Sequence, residues 1–175
     1  MVKTFSEKMK PEVIFLKYAF PCSTVLRQRN EITQEMLNKL EDAAINNKVI
    51  SREVLEKIYF RAISRMKVLA NERNKDYFSE DLIREYFTKR HNDILDGHIS
   101  GKNNDMGIDV DKNTPSSLRH LCKVFKAKVI EKKEDYYIVE YDNKKLRPVL
   151  NSLLPNAKIG DVITIHYGYA VEEAK

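Results

Sequence analysis

Few side chains in this sequence are suited to chemistry: two cysteines, Cys22 and Cys122, and four histidines, His91, His98, His120 and His166. Cys22 lies in the run Phe20-Pro21-Cys22-Ser23. A helix starting after the proline would lower its thiol pKa. A packed cysteine at a helix kink is the favoured reading. His91 and His98 would stand two turns apart on one helix, but Gly97 breaks that run, so both read as surface histidines. His120 and Cys122 would share a strand face, and with it a metal-binding pair, if the strand begins early. Two distant cysteines with no Cys-x-x-Cys pair define neither a disulfide framework nor a structural zinc site. There is no Ser-His-Asp order, no H-E-x-x-H and no nucleophile elbow, so a non-enzyme is expected. Five glycines and no tryptophan leave no room for a glycine-rich phosphate loop.

The elements that must position these residues fall into two kinds. Residues 11–96 carry helical periodicity. Pro11 suits a first helical position, and Val13, Ile14, Leu16 and Phe20 follow until Pro21 interrupts. Thr33 is placed to cap a second helix, with Met36, Leu37, Leu40 and Ala44 on one face. Ser51 opens a third, whose stripe is Leu55, Ile58, Ala62, Ile63, Met66 and Leu69. Ser79 opens a fourth, with Glu80 and Asp81 favourable against the helix dipole. Its inner face is Leu82, Ile83, Tyr86, Phe87 and Ile94, and Gly97 can end it. Four amphipathic helices on short loops predict a bundle.

Three of the five glycines then fall within residues 97–114. We expect a linker over 97–120, with a short helical turn near Ser116 to Leu121. From Cys122 the period changes to two. Residues 124–130 alternate, Tyr136 to Tyr141 is β-branched and aromatic, Asp142-Asn143 signals a turn, and Val162 to Tyr167 is another strand. Short strands this close together predict a small closed sheet. The expected fold class is therefore α+β: an all-α helical bundle over residues 1–96, then a small OB-like β-barrel over residues 121–175.

The register of that second part carries a resemblance. Cys122, Val124, Phe125, Lys128 and Val129 fall in step with an opening Met-Cys-Leu-Ala-Ile-Pro-Gly-Lys-Val. Leu153-Leu154-Pro155, Lys158-Ile159-Gly160-Asp161 and His166-Tyr167-Gly168-Tyr169-Ala170 then follow in matching order and spacing. Residues 121–173 thus resemble the HypC/HupF hydrogenase-maturation chaperone family. The resemblance implies a small OB-type barrel and a chaperone that passes iron, with its diatomic ligands, between protein partners. It implies metal or partner contact through the family cysteine and the histidine before Gly-Phe-Ala, here Cys122 and His166. A related barrel class inserts nickel, so iron or nickel, held transiently, is the expected cargo, with no permanent cofactor. In this chain the cysteine is internal, and Lys126-Ala127 stand where the family has Pro-Gly. A packed Cys122 and a hydrogen-bonded His166 would also satisfy the sequence without any metal.

Two other functions compete. The net charge of +5, with 31 basic residues among 26 acidic ones, the OB-like barrel and rings such as Tyr136, Tyr137, Tyr141 and Tyr167 would suit single-stranded nucleic acid. Mixed Lys/Glu faces on helices are the favoured explanation of the charge. The bundle could instead dock a protein partner as an adaptor. No apolar run approaches the ~20 residues of a membrane span, and residues 1–10 lack the features of a secretory signal. A cytoplasmic protein with a protein partner is expected; the sequence carries no sign of its oligomeric state.

Overall fold

The computed structural model describes residues 9–97 and 115–174. Among them, helices come first and a five-stranded sheet follows. The expected linker lies mostly outside the described residues, as does His98.

Helix α1 (Pro11–Ala19) has Pro11 at its first position, where a missing N–H costs nothing. Pro21 ends it as expected. The chain passes through a 3-10 turn (Phe20–Cys22) into α2 (Ser23–Gln28). Helix α3 (Gln34–Ile45) is capped by Thr33, whose Oγ1 accepts the Met36 N–H at 3.1 Å. The expected third helix is broken into α4 (Arg52–Ile58) and α5 (Phe60–Arg73) at Tyr59, where φ is −107° and ψ 34°. Tyr59 is fixed by its hydroxyl, 2.7 Å from Ser23 Oγ, and by edge contact with the Phe15 ring. The expected fourth helix is α6 (Glu80–Glu85), a π-turn (Tyr86–Arg90) and α7 (His91–Leu95). Asn30, Asn47 and Asn74 adopt positive φ just beyond α2, α3 and α5, a conformation asparagine tolerates.

Helix α8 (Ser116–Cys122) leads into the sheet. The expected strand start at Cys122 is corrected: Cys122 closes this helix, and β1 begins two residues later. The strands are β1 (Val124–Lys132), β2 (Tyr136–Tyr141), β3 (Lys145–Leu150), β4 (Val162–His166) and β5 (Tyr169–Glu173). Antiparallel pairs join β1 to β2, β2 to β3, β4 to β5 and β1 to β4. Between β3 and β5 a single parallel register pair, Leu150 with Tyr169, is made.

Two apolar cores result. One lies within the sheet, around Val129, Tyr137, Val139, Ile163 and Ile165. The other fills the helices, around Phe15, Leu40, Leu55, Met66 and Phe87, and takes in Val124, Leu153 and Val171 from the strand region. A register shift between Thr164 and Ile165 separates their partners Glu172 and Ala170, leaving Val171 unpaired. Ala170 faces the sheet core by ordinary alternation, and the bulge lets both Val171 and Glu172 face the helices, Val171 entering their core. Polar bonds cross the same boundary. Lys17 Nζ donates to Leu153 O at 2.7 Å, and Arg84 holds Glu172 through two nitrogens at 2.7 and 3.1 Å. Asn92 brackets Val124, accepting its N–H at 2.8 Å and donating to its carbonyl at 2.7 Å.

Candidate functional site

Strand alternation decides where His166 points. Ile163 and Ile165 fill the sheet core, so Thr164 and His166 face the helices. His166 is wholly buried. Its Nδ1 lies 2.6 Å from the Tyr18 carbonyl, which can only accept, so Nδ1 carries the proton. The bare Nε2 stands 3.5 Å from Cys22 Sγ. Burial pushes the imidazole pKa down to about 4, so the ring is neutral at pH 7.

Cys122 arrives from the other side. Val124 pairs with His166 across β1 and β4, which brings the end of α8 beside that histidine. Cys122 and His166, the two residues singled out from the sequence, line one cavity of about 210 Å³ at the boundary between helices and sheet. Cys22 and His91 line it as well. Both cysteines are half-buried and free of disulfide bonds. Their thiols interact: the Cys22 S–H stabilises a Cys122 thiolate, holding the Cys122 pKa down, while the same pairing and burial push Cys22 well up. Cys22 thus behaves as a packed cysteine and not as a thiol activated by a helix start.

His91 is a second correction. The π-turn gives its N–H a bond to Tyr86 O, five residues back, and the ring turns inward against Phe87 and His166, with centroids 6.0 and 5.2 Å away. Its Nδ1 is shut off from solvent without a hydrogen-bond partner. Burial, reinforced by His166, pushes its pKa down to about 3. Nothing in the amino-acid pattern signals a π-turn, so periodicity alone could not find this residue.

The pairing of His120 with Cys122 that an early strand start would have allowed is not made, because both lie on α8 and residues two apart on a helix face different ways. His120 turns to Asp142, 3.4 Å away, and to the Phe125 ring. The set of rings for nucleic-acid stacking also shrinks. Tyr137 is fully buried and donates its hydroxyl to Leu154 O at 2.6 Å, while Tyr136 next to it is exposed.

The rest of the cavity wall is largely apolar, from Ala19, Val25, Leu26, Ile58, Ala62 and Leu95, with Arg29, Arg61 and Arg65 also contributing. Two thiols and two imidazoles are donors that suit zinc, iron or nickel. As the side chains stand, no group of three or more His, Cys, Asp or Glu among the described residues is set to hold an ion. Compared with protein-family models, curated proteins and solved structures, the chain matches none. Among the described residues, no helix is long and apolar enough to cross a membrane.

Proposed function

We propose that this protein is a metallocentre-assembly chaperone, or a relative of one, that handles iron or nickel together with a protein partner through Cys122 and His166. The observation that carries this reading is that both residues line a single cavity, with the His166 ring oriented by a backbone carbonyl. A carbonyl on the far ring nitrogen fixes the tautomer and readies an imidazole for a metal. Cys122 supplies the softer donor in its more readily ionised form. With no three donors gathered on an ion at rest among the described residues, transient binding completed by a partner suits the site better than storage. The pairing order β1-β2-β3-β5-β4, returning from β4 to β1, supports the OB-like barrel that the sequence resemblance implies.

Titration of the reduced protein with Fe(II), and separately with Ni(II), under anaerobic conditions tests this. We expect about one equivalent to bind, and the binding to be lost in Cys122→Ala. Equal binding by wild type and variant would overturn the role of Cys122, and binding by neither would overturn the metal role.

A second reading, a non-catalytic interaction adaptor, is favoured by the outer face of β2 and β3. Tyr136 pairs with Leu150 and Ile138 with Pro148, while Leu146 lies opposite Glu140. Leu146 and Leu150 are exposed beside Tyr136, an apolar strip of the kind protein partners cover.

A further inference from the structure

We propose that Cys22 and His91, from the helical part, join Cys122 and His166 to form a four-ligand site for a thiophilic divalent metal ion of tetrahedral preference. The inference rests on the metal-handling reading above and extends it to two residues outside the segment of resemblance. Both cysteines of the chain and two of its four histidines, at positions 22, 91, 122 and 166, meet at one cavity. Two thiolates and two imidazoles are a common tetrahedral zinc set.

The spacings agree with that chemistry. Ligands at about 2.3 Å for sulfur and about 2.0–2.1 Å for nitrogen, set tetrahedrally, stand about 3.5 Å apart; Cys22 Sγ and His166 Nε2 are separated by 3.5 Å. Two imidazoles on one such ion place their ring centres about 5 Å apart; those of His91 and His166 are 5.2 Å apart. His91 Nδ1 is buried without a hydrogen-bond partner, although the ring also feels the Asn92 side chain, itself bonded to Val124; the bare nitrogen is an independent sign of a missing ligand. At rest the four side chains do not converge on one point. Closing the site requires side chains to reorient. His91 Nδ1 gives up no hydrogen bond in doing so, and a cysteine swings about one torsion. Each thiol releases its proton to solvent as its sulfur bonds the metal, while the imidazoles bind in their neutral form.

The test is anaerobic Co(II) titration of the reduced, full chain, followed by optical absorption, with Zn(II) then added to displace the cobalt. We expect one equivalent of Co(II), tetrahedral d–d bands and sulfur-to-cobalt charge transfer. Cys22→Ser and His91→Gln, checked for folding by circular dichroism, should each weaken binding more than about tenfold and alter the bands. If Cys122→Ala and His166→Gln abolish binding while Cys22→Ser and His91→Gln leave affinity and bands unchanged, the four-ligand site falls and the two-residue reading survives. If all four variants bind as wild type does, or wild type binds neither metal, both fall. Should Cys22→Ser fail to fold, unchanged bands in His91→Gln alone would still overturn the site.

Discussion

The junction between helices and sheet is best probed at Glu172. Its carboxylate on β5 accepts two bonds from Arg84 on α6 and a third, at 2.6 Å, from the Tyr18 hydroxyl on α1. The Arg84 and Glu172 side chains are 20% and 16% exposed, so water screens the pair only partly. Breaking a fully buried ion pair costs about 3–5 kcal/mol, whereas an exposed pair is worth about 0.2–1 kcal/mol. Arg84 also keeps Glu80, 3.2 Å away, when Glu172 is lost. Glu172→Gln should therefore cost about 2 kcal/mol, below the buried limit. A double-mutant cycle with Arg84→Met should give a coupling energy of about 1–2 kcal/mol. Urea unfolding of the four proteins measures it, with unchanged slopes as the check that only stability moved. The solvated Lys57–Glu53 pair, 74% and 79% exposed, serves as reference and should show far weaker coupling. Equal coupling in the two cycles would refute the argument that this pair fastens β5 to the helices.

Acid should unfold the protein through its histidines first. His91 and His166 stay neutral when folded, with pKa values pushed down to about 3 and about 4, whereas the unfolded chain takes up the same protons near pH 6.5. The unfolded state then binds more protons, so stability falls as pH drops below 6.5, by about 1.4 kcal/mol per unit for each histidine, until the folded values are passed. Carboxylates such as Glu31 and Glu85, held low by Arg61 and Arg73, lose their contribution only at lower pH. Urea midpoints at pH 7, 6 and 5 should show this slope, and His166→Gln should reduce it to about half; a flat wild-type profile would contradict the burial. Phe15 is fully buried, with the rings of Tyr59, Phe78 and Phe87 5.6, 5.3 and 5.8 Å away, so Phe15→Ala should cost about 3–5 kcal/mol in thermal or urea unfolding. Lys144 sits at φ 65° in the β2–β3 turn, and Lys144→Gly should raise stability by up to about 1 kcal/mol, read as a higher urea midpoint.

Local signals carried much of the fold. Pro21 stopped a helix where a missing N–H and a rigid ring demand it, Thr33 capped one through its own hydroxyl, and Asp142-Asn143 turned a hairpin at positive φ. What stayed hidden was set by contacts far apart in the chain. Tyr59 interrupts an unbroken apolar stripe because Ser23 and Phe15 hold its side chain. His91 turns inward through a π-turn that its neighbours do not announce. Cys22 and Cys122 lie 100 positions apart (122 − 22), and only the tertiary fold brings them to one cavity. Cys122 and His166 were singled out through the resemblance of residues 121–173 to a known family; that they share a cavity with Cys22 and His91 was not legible in the sequence.

The register shift that sends Val171 into the helical core also bears on how the molecule is made. During synthesis every helix up to α7 leaves the ribosome before any strand does. At that moment the helices lack Val124, Leu153 and Val171, which complete their core. The Lys17 ammonium has no Leu153 carbonyl to meet, and the Tyr18 hydroxyl has no Glu172. The early part of the nascent chain therefore waits, incompletely packed and with apolar surface open to chaperones, until β5 has been delivered.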